Sequence, residues 1–296
     1  MSIKKWFEKN THSLCGKRIA VTGSTGGLGV ELCDYLATLG AELILLDRNA
    51  TRSAEHREKL AAKHAVKVSS IILDLEDITS ADSAVDKLIE LDIDVFIHNA
   101  GAYSIPRRVC STGYNNVYQI NFVTPYYMIR RLMPHLSSKK GRVVAVGSIA
   151  HDYSKTDIND VDFSERTAAS KLYGNAKRHL MYGLQQLFRD EQDATLSITH
   201  PGITFTNITA HYPPLVFAII KYPMKIVFMK PKKAALSVLS GLFHNTEYPS
   251  WIGPWMFDVW GLPKKKKLNT ATDTEIESIA KIADCVYNRC IECIGK

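Results

Sequence analysis

The sequence predicts an α/β protein on one doubly wound, Rossmann-type parallel sheet of about seven strands, with helices on both faces. Three observations carry this. Short apolar runs alternate with helical patterns from Arg18 to Thr199. A glycine-rich turn, Thr22-Gly23-Ser24-Thr25-Gly26-Gly27-Leu28-Gly29, separates the first run from the first helical pattern. The chain has 296 residues, 46% of them hydrophobic, which suffices for one large core without a second domain.

The elements follow in order. Arg18 to Thr22 is an apolar run, and Leu28 to Leu39 is helical. Leu43 to Leu46 is a strand ending at Asp47, followed by a charged helix over Thr51 to Lys63. Val68 to Leu73 is a strand ending at Asp74, and Ser80 to Glu90 is a helix. Asp94 to His98 is a strand, Tyr114 to Leu136 a long helix and Arg142 to Val146 a strand. Tyr173 to Arg189 is helical, and Thr195 to Thr199 is a strand before Pro201-Gly202. Two stretches break the alternation: a polar insertion over Ala150 to Ala168, and an apolar, proline-punctuated segment over Asn207 to Ala235. Thr272 to Ile291 carries apolar residues at helical spacing and reads as a terminal helix on the domain or on a neighbouring subunit. With no repeats or low-complexity linker, residues 1–296 form one domain: an N-terminal extension (1–16), a helical substrate lid (207–235) and a C-terminal extension (264–296) frame it.

Composition narrows the function. The net charge is +7, but the Lys and Arg residues are spread, apart from Lys264 to Lys267 and a group around Lys230, Lys232 and Lys233. No groove-reading or aromatic-interleaved basic motif accompanies them, so no nucleic-acid partner is expected. The six cysteines show no disulfide-framework spacing, which fits a reducing cytoplasm. Cys290 and Cys293 form a C-x-x-C without a second ligand pair, so no metal is expected. Met1 to Ser13 lacks the apolar core of a signal peptide, and the longest apolar run, Leu215 to Ile220, is far too short to span a membrane.

Chemistry concentrates in two places. The first is the glycine turn. Its position between a strand and a helix suits a pyrophosphate held by the helix N-terminus, with Gly23, Ser24, Thr25, Gly27, Leu28 and Gly29 as contacts. Asp47 ends the next strand 24 residues past Gly23. Its carboxylate suits the ribose 2′-OH of NAD and opposes a 2′-phosphate, whereas Arg48 beside it suits that phosphate. With Asp47 at the strand end, NAD(H) is favoured over NADP(H). Asp74, with the Leu75 backbone, is placed to meet the adenine edge or to cap a turn.

The second is Tyr173-Gly174-Asn175-Ala176-Lys177. A phenol and an ammonium four residues apart share a helix face. There the ammonium favours the phenolate and draws the phenol pKa down from about 10 towards neutrality. Ser170-Lys171-Leu172 offers a competing frame, but it sets Thr167, which has no acidic phenol, four residues before Lys171.

Taken in order, these motifs resemble the short-chain dehydrogenase/reductase family over roughly residues 17 to 210. Thr22 to Gly29 is similar to its T-G-x-x-x-G-x-G turn, and His98-Asn99-Ala100-Gly101 to its N-N-A-G, with His98 replacing the first Asn. Asn121 resembles its helix asparagine, and Val144 to Ser148 the strand that ends in its serine. Tyr173 and Lys177 match Y-x-x-x-K, and Pro201-Gly202-Ile203-Thr204-Phe205-Thr206 resembles P-G-x-x-x-T. Lys177 lies 24 residues before Pro201, the family's usual interval, whereas Lys171 lies 30 before it.

The resemblance implies Asn121, Ser148, Tyr173 and Lys177 as catalytic residues. It implies cofactor contacts from Asn99, Ala100, Gly101, Tyr173, Lys177, Pro201, Gly202, Ile203 and Thr206. Tyr173 would donate a proton to the substrate oxygen and Ser148 would hold that oxygen. Lys177 would bind the nicotinamide ribose, and Asn121 would hold a water leading to solvent. Ser148 and Tyr173 are 25 residues apart, and the insertion between them resembles that of steroid- and retinol-type members, with His151 as a loop histidine. The apolar residues of Leu215 to Phe228 suit a bulky apolar ketone or alcohol; a buried core helix, a dimer contact and a membrane-surface helix are rival readings of the same stretch. Details such as Asp47-Arg48 and Trp260 to Pro263 resemble bacterial 20β-hydroxysteroid dehydrogenases, implying a cortisol-like C20 ketone. A retinol-like dehydrogenase and a catalytically silent cofactor-binding scaffold are the alternatives. The resemblance also implies a homodimer or homotetramer through the long helices.

Overall fold

The computed structural model describes residues 1–204, 228–244 and 249–295. The elements are α1 (Ile3–Asn10), β1 (Arg18–Thr22), α2 (Gly27–Thr38), β2 (Glu42–Asp47), α3 (Ala50–His64), β3 (Val68–Ile72), α4 (Ile78–Glu90) and β4 (Val95–His98). There follow α5 (Asn116–Tyr118), a π-helical segment Gln119–Val123, α6 (Thr124–Ser138), β5 (Arg142–Val146) and a 3₁₀ turn Ile149–Tyr153. The rest are α7 (Ala169–Leu187), β6 (Thr195–Thr199), α8 (Pro231–Phe243), β7 (Ser250–Met256), β8 (Trp260–Lys267) and α9 (Asp273–Ile294).

The strands form one sheet in the order β3-β2-β1-β4-β5-β6-β7-β8. All neighbours are parallel except β7 and β8. The strand sequences explain the layering. Ile19, Val21, Leu43, Leu45, Val95, Ile97, Val144 and Val146 point into one core, beneath α2 and α8. Ala20, Ile44, Leu46, Phe96, Val143 and Ala145 point into the other, beneath α4, α6 and α7. Both faces are buried, so the strands read as unbroken apolar runs.

The structure differs from the sequence reading at the C-terminal side. The sheet has eight strands, because residues 250–267 form a hairpin at its edge. Gly253 and Pro254 interrupt β7 at an irregular register, and β8 ends in four lysines, so neither looks like a strand. Both are tolerated: β6 pairs β7 only at Thr199 and Ile252, so Pro254 lies beyond that ladder, and lysine guards β8 as the edge strand. Of the expected lid, residues 231–235 belong to α8, where Ala234 and Ala235 are buried against the sheet. The stretch 205–227 lies outside the described residues.

α9 also decides between two expectations. It packs within the chain across α7, α6 and α4, burying Ile276, Ile279, Ala283, Val286 and Cys290. The outward face of the long helices, where the resemblance implies a partner subunit, is covered by the chain's own C-terminus. One ion pair anchors it. Arg178 on α7 is buried and gives Nε and Nη2 to the two carboxylate oxygens of Glu275 at 2.7 and 2.6 Å. The same guanidinium donates to His151 O at 3.1 Å and Thr270 O at 2.8 Å. Burial opposes ionisation of Glu275, but the hydrogen bonds and charge of Arg178 prevail and hold its carboxyl at about 2. A carboxyl held below its ordinary value of 4.5 stabilises the fold above that pH, and the contribution is lost as pH falls towards 2. Glu275→Gln leaves the buried guanidinium without its counter-charge. Thermal melting at neutral pH is expected to show a loss of about 3 kcal/mol, and the variant's stability should depend less on pH below 4.5.

Candidate active site

The C-terminal ends of β1, β4, β5 and β6 border one cavity of about 520 Å³. It lies beside the point where strand order reverses, between β1 and β4, where doubly wound sheets take ligands. Its floor is the glycine turn. Gly23 has φ +66°, and a Cβ there would meet Ala100 Cα at 3.0 Å; a Cβ on Gly29 would come within 2.2 Å of Gly23 O. Strand, turn and helix are thus packed too closely for side chains. No side chain caps α2, so its first N–H groups remain donors for an anion. The cradle therefore fits a dinucleotide pyrophosphate.

Thr22 ties this floor to the next strand. Its Oγ1 accepts from the N–H groups of Asn99 and Ala100, each at 3.0 Å. Its own hydrogen is then directed to His98 Nδ1 at 3.3 Å. Burial pushes the His98 pKa well down, so the ring is neutral and accepts. That explains how histidine replaces asparagine here: the position needs an acceptor for Thr22. Asn99 Nδ2 in turn donates to Thr22 O and Gly23 O.

At the other end, Ser148 follows β5, and α7 presents Tyr173 and Lys177 on one face; all three line the cavity. The Ser148 hydroxyl hydrogen-bonds the Tyr173 phenol. Tyr103 meets the Tyr173 ring edge-on, with centroids 5.5 Å apart. Lys177 is 1% exposed; its Nζ donates to Val146 O at 2.8 Å and lies 5.8 Å from the Tyr173 ring centroid. Lys171 instead donates to Tyr153 O and does not line the cavity, so the competing frame does not assemble a site.

The electrostatics depart from expectation. Burial pushes Tyr173 up to about 12, against the opposing Ser148 hydrogen bond. Burial pushes Lys177 down to about 7. The expectation that Lys177 draws the phenol towards neutrality is therefore not met by the protein's own charges. Loss of water around both groups dominates their shifts.

Other expected contacts divide. Gly101, Pro201, Gly202 and Ile203 line the cavity, as do Gly27 and Leu28. Thr206 lies outside the described residues. Asp74 Oδ1 accepts from Glu76 N at 3.0 Å, and Leu75 O from Thr124 Oγ1 at 2.8 Å, so both have local structural roles. Asn121 sits in the π-helical segment. Its Nδ2 donates to Ala102 O and Val117 O, each at 2.8 Å, and its Oδ1 accepts from Ala102 N at 3.2 Å. Its side chain is thus a clamp on the loop after β4, which leaves no donor for the expected water. His151 donates Nδ1–H to Ser148 O at 2.7 Å and holds the serine loop, as a structural loop histidine would. Tyr103, Tyr153, Ser170 and His200 also line the cavity, although the sequence reading did not single them out for it. Tyr103 and His200 come from loops after β4 and β6, Tyr153 from the 3₁₀ turn and Ser170 from the first turn of α7, and only the fold brings the four together. Among the described residues, no three His, Cys, Asp or Glu side chains come together to hold a metal.

Asp47 gives the largest revision. It is 4% exposed. Oδ1 accepts from Thr25 N and Oγ1, each at 3.0 Å. Oδ2 accepts from Ser24 Oγ at 2.5 Å and Ser53 Oγ at 3.0 Å. These four donors fill the carboxylate's lone-pair positions. Its expected role as acceptor for a ribose 2′-OH is therefore taken by the protein itself, and Ser24 and Thr25 face it rather than the cavity. Arg48 next to it is exposed, 3.6 Å from Glu76, which already forms a bidentate pair with Arg108. Asp47→Ala is expected to lower the melting temperature with no dinucleotide added, by leaving three residues' donors unpaired at about 1–3 kcal/mol overall. An unchanged melting temperature would mean that Asp47 serves only the ligand.

Comparison with known proteins agrees with this architecture. A model of the short chain dehydrogenase family matches residues 17–212. The chain is 28% identical over 225 residues to the chloroplastic short-chain dehydrogenase TIC 32 A of Brassica napus, covering 69% of each protein. It is 26% identical over 203 residues to human polyprenol dehydrogenase, covering 64% of this chain and 62% of that protein. Among solved structures, an uncharacterized protein from Mycobacterium paratuberculosis superposes with a TM-score of 0.69 at 21% identity, covering 97% of each chain. With the match to the family's pattern spanning the turn, the serine strand and the tyrosine helix, the chain belongs to the short-chain dehydrogenase family.

Proposed function

We propose that the protein interconverts a ketone and a secondary alcohol on a bulky apolar substrate, a steroid or another isoprenoid. The observation that carries this is the convergence of Ser148, Tyr173 and Lys177 at the end of a cavity whose glycine floor fits a dinucleotide. The nicotinamide, when bound, supplies or accepts hydride at the substrate carbon. The chain's residues handle the oxygen. Ser148 donates to it and stabilises the negative charge that develops during reduction. Tyr173, whose phenol stays protonated at neutral pH, gives its proton to the same oxygen. Lys177 is close to half-protonated at neutral pH and refills the phenol. In oxidation the same groups run in reverse. The intact acid and its buried lysine favour a catalyst over a silent scaffold.

The substrate class rests on the apolar wall. Ile105, Ile149, Ala150, Ile203 and Phe228 face the substrate end. Human polyprenol dehydrogenase, among the relatives, carries an isoprenoid alcohol in its name. This supports the isoprenoid class; within it, the cortisol-like C20 ketone and retinal are two members of a test panel. We further infer that the enzyme acts as a single subunit, because α9 covers the face a partner would use, and that it works in the reducing cytoplasm, its six cysteines being free thiols.

For the dinucleotide we revise the NAD(H) expectation to NADP(H). Asp47, which would repel a 2′-phosphate, is turned inward and hydrogen-bonded, and Arg48 offers an exposed guanidinium. Arg48→Ala is expected to weaken NADPH binding about tenfold, read by nicotinamide fluorescence, and to leave NADH binding unchanged. Tighter binding of NADH than NADPH by the natural protein would contradict this. Tyr173→Phe keeps the ring and removes the acid. It is expected to abolish reduction across a panel of steroid ketones, retinal and polyprenals while retaining dinucleotide binding. Near-normal turnover in that variant would sink the assignment.

A further inference from the structure

The most exposed aromatic side chain of the described residues is at the tip of the β7–β8 hairpin. Phe257 is 89% exposed and Trp255 55%, with Met256 and Trp260 also reaching solvent. The turn is an improbable one. Phe257 and Asp258 both have positive φ, +51° and +57°. Turns with positive φ at both central residues favour asparagine and glycine, and a phenylalanine held there is strained. The tip is nevertheless firmly built: Lys266 Nζ meets Asp258 Oδ1 at 2.7 Å, His200 Nε2 meets Asp258 O at 2.9 Å, and Val259 N donates to Met256 O at 3.0 Å. A strained residue that is fixed in place and presents a ring to solvent points to a use for that ring.

Its charge surroundings identify the partner. β8 leads away from the tip as the outermost strand and carries Lys264 to Lys267, with Lys264 and Lys267 exposed. Lys264 is four residues, about 13 Å of strand, from Trp260. An apolar tip entering a bilayer about 5–10 Å leaves such an ammonium beside the headgroups. A second copy of this chain fits poorly, since pairing two β8 edges would set lysine against lysine. Edge guarding accounts for the lysines alone; it gives no reason for Phe257 and Trp255.

We propose that the β7–β8 hairpin docks the protein on an anionic phospholipid surface, with Trp255 and Phe257 inserted at the interface and Lys264 against the headgroups. The turn abuts the cavity: Gly202 is packed under Val259 O and Pro254, and both His200 and Gly202 line the site. Docking therefore holds the substrate end of the cavity close to the lipid. The docking itself stands independently of which substrate is reduced.

The test is flotation of the full chain with vesicles of phosphatidylcholine alone and of equal parts phosphatidylcholine and phosphatidylglycerol. The natural protein is expected to float with the anionic vesicles and hardly with the neutral ones, and brominated lipid should quench its tryptophan fluorescence. Phe257→Asn supplies a residue that tolerates positive φ, so it should melt no lower than the natural protein while binding anionic vesicles at least tenfold more weakly. Trp255→Ser should weaken binding similarly, and Lys264→Glu should weaken it as well. No binding of the natural protein to anionic vesicles, or undiminished binding by Phe257→Asn, would overturn the proposal. So would a concentration-dependent dimer in light scattering that Phe257→Asn abolishes, because the tip would then serve a second copy.

Discussion

The site depends on one constraint: α7 carries an ammonium and a phenol into a place from which water is nearly excluded. Lys177 keeps one fixed partner, the carbonyl of Val146 at the end of β5. That bond holds the helix against the sheet at the point where Ser148 emerges. The same burial that makes the position costly sets its chemistry, lowering the lysine to about 7 and raising the tyrosine to about 12. A proton donor and a group able to refill it thus arise from desolvation, before any ligand charge acts.

Much of the surrounding structure keeps that placement fixed. Arg178, one residue past Lys177, reaches the carbonyl of His151, and His151 reaches the carbonyl of Ser148. Glu275 of α9 completes the chain by holding Arg178 and accepting from Thr156 N at 2.8 Å. The C-terminal helix is therefore tied to the serine loop through three residues. Beneath the cavity, Thr22, His98 and Asn99 join β1 to β4, and Asp47 closes the glycine turn onto α3 through Ser53. Where a partner subunit could brace the long helices, α9 supplies an internal brace.

The part of this that was legible in the sequence is the part with a period or a fixed spacing. Strands buried on both faces are short apolar runs, so β1 to β6 could be located within a residue or two. The glycine turn and the Tyr173–Lys177 pair could be assigned because backbone approach and helix geometry restrict which residues work there. The remaining elements are set by tertiary context. β7 and β8 exist through pairing at a sheet edge, which accepts Pro254 and four lysines that no strand pattern would include. Asp47 has the right position for a ribose contact, but its direction depends on hydroxyls from Ser24 and Ser53, residues far apart in the chain. Asn121 was recognised by position, whereas its use as a clamp on Ala102 depends on the local widening of the helix. The shift of Tyr173 is opposite to expectation because burial, a property of the whole fold, dominates it.

The central claim, that burial alone sets Lys177 near neutrality and keeps Tyr173 a protonated donor, is tested most directly by the pH dependence of kcat/KM for ketone reduction. The account predicts a rate that is highest where Lys177 is protonated and falls as pH rises through about 7, with Lys177→Arg, which stays charged, losing that limb even if its residual rate is low. A natural enzyme whose rate is flat through that range, and falls only where an ordinary lysine titrates at about 10.4, would contradict it.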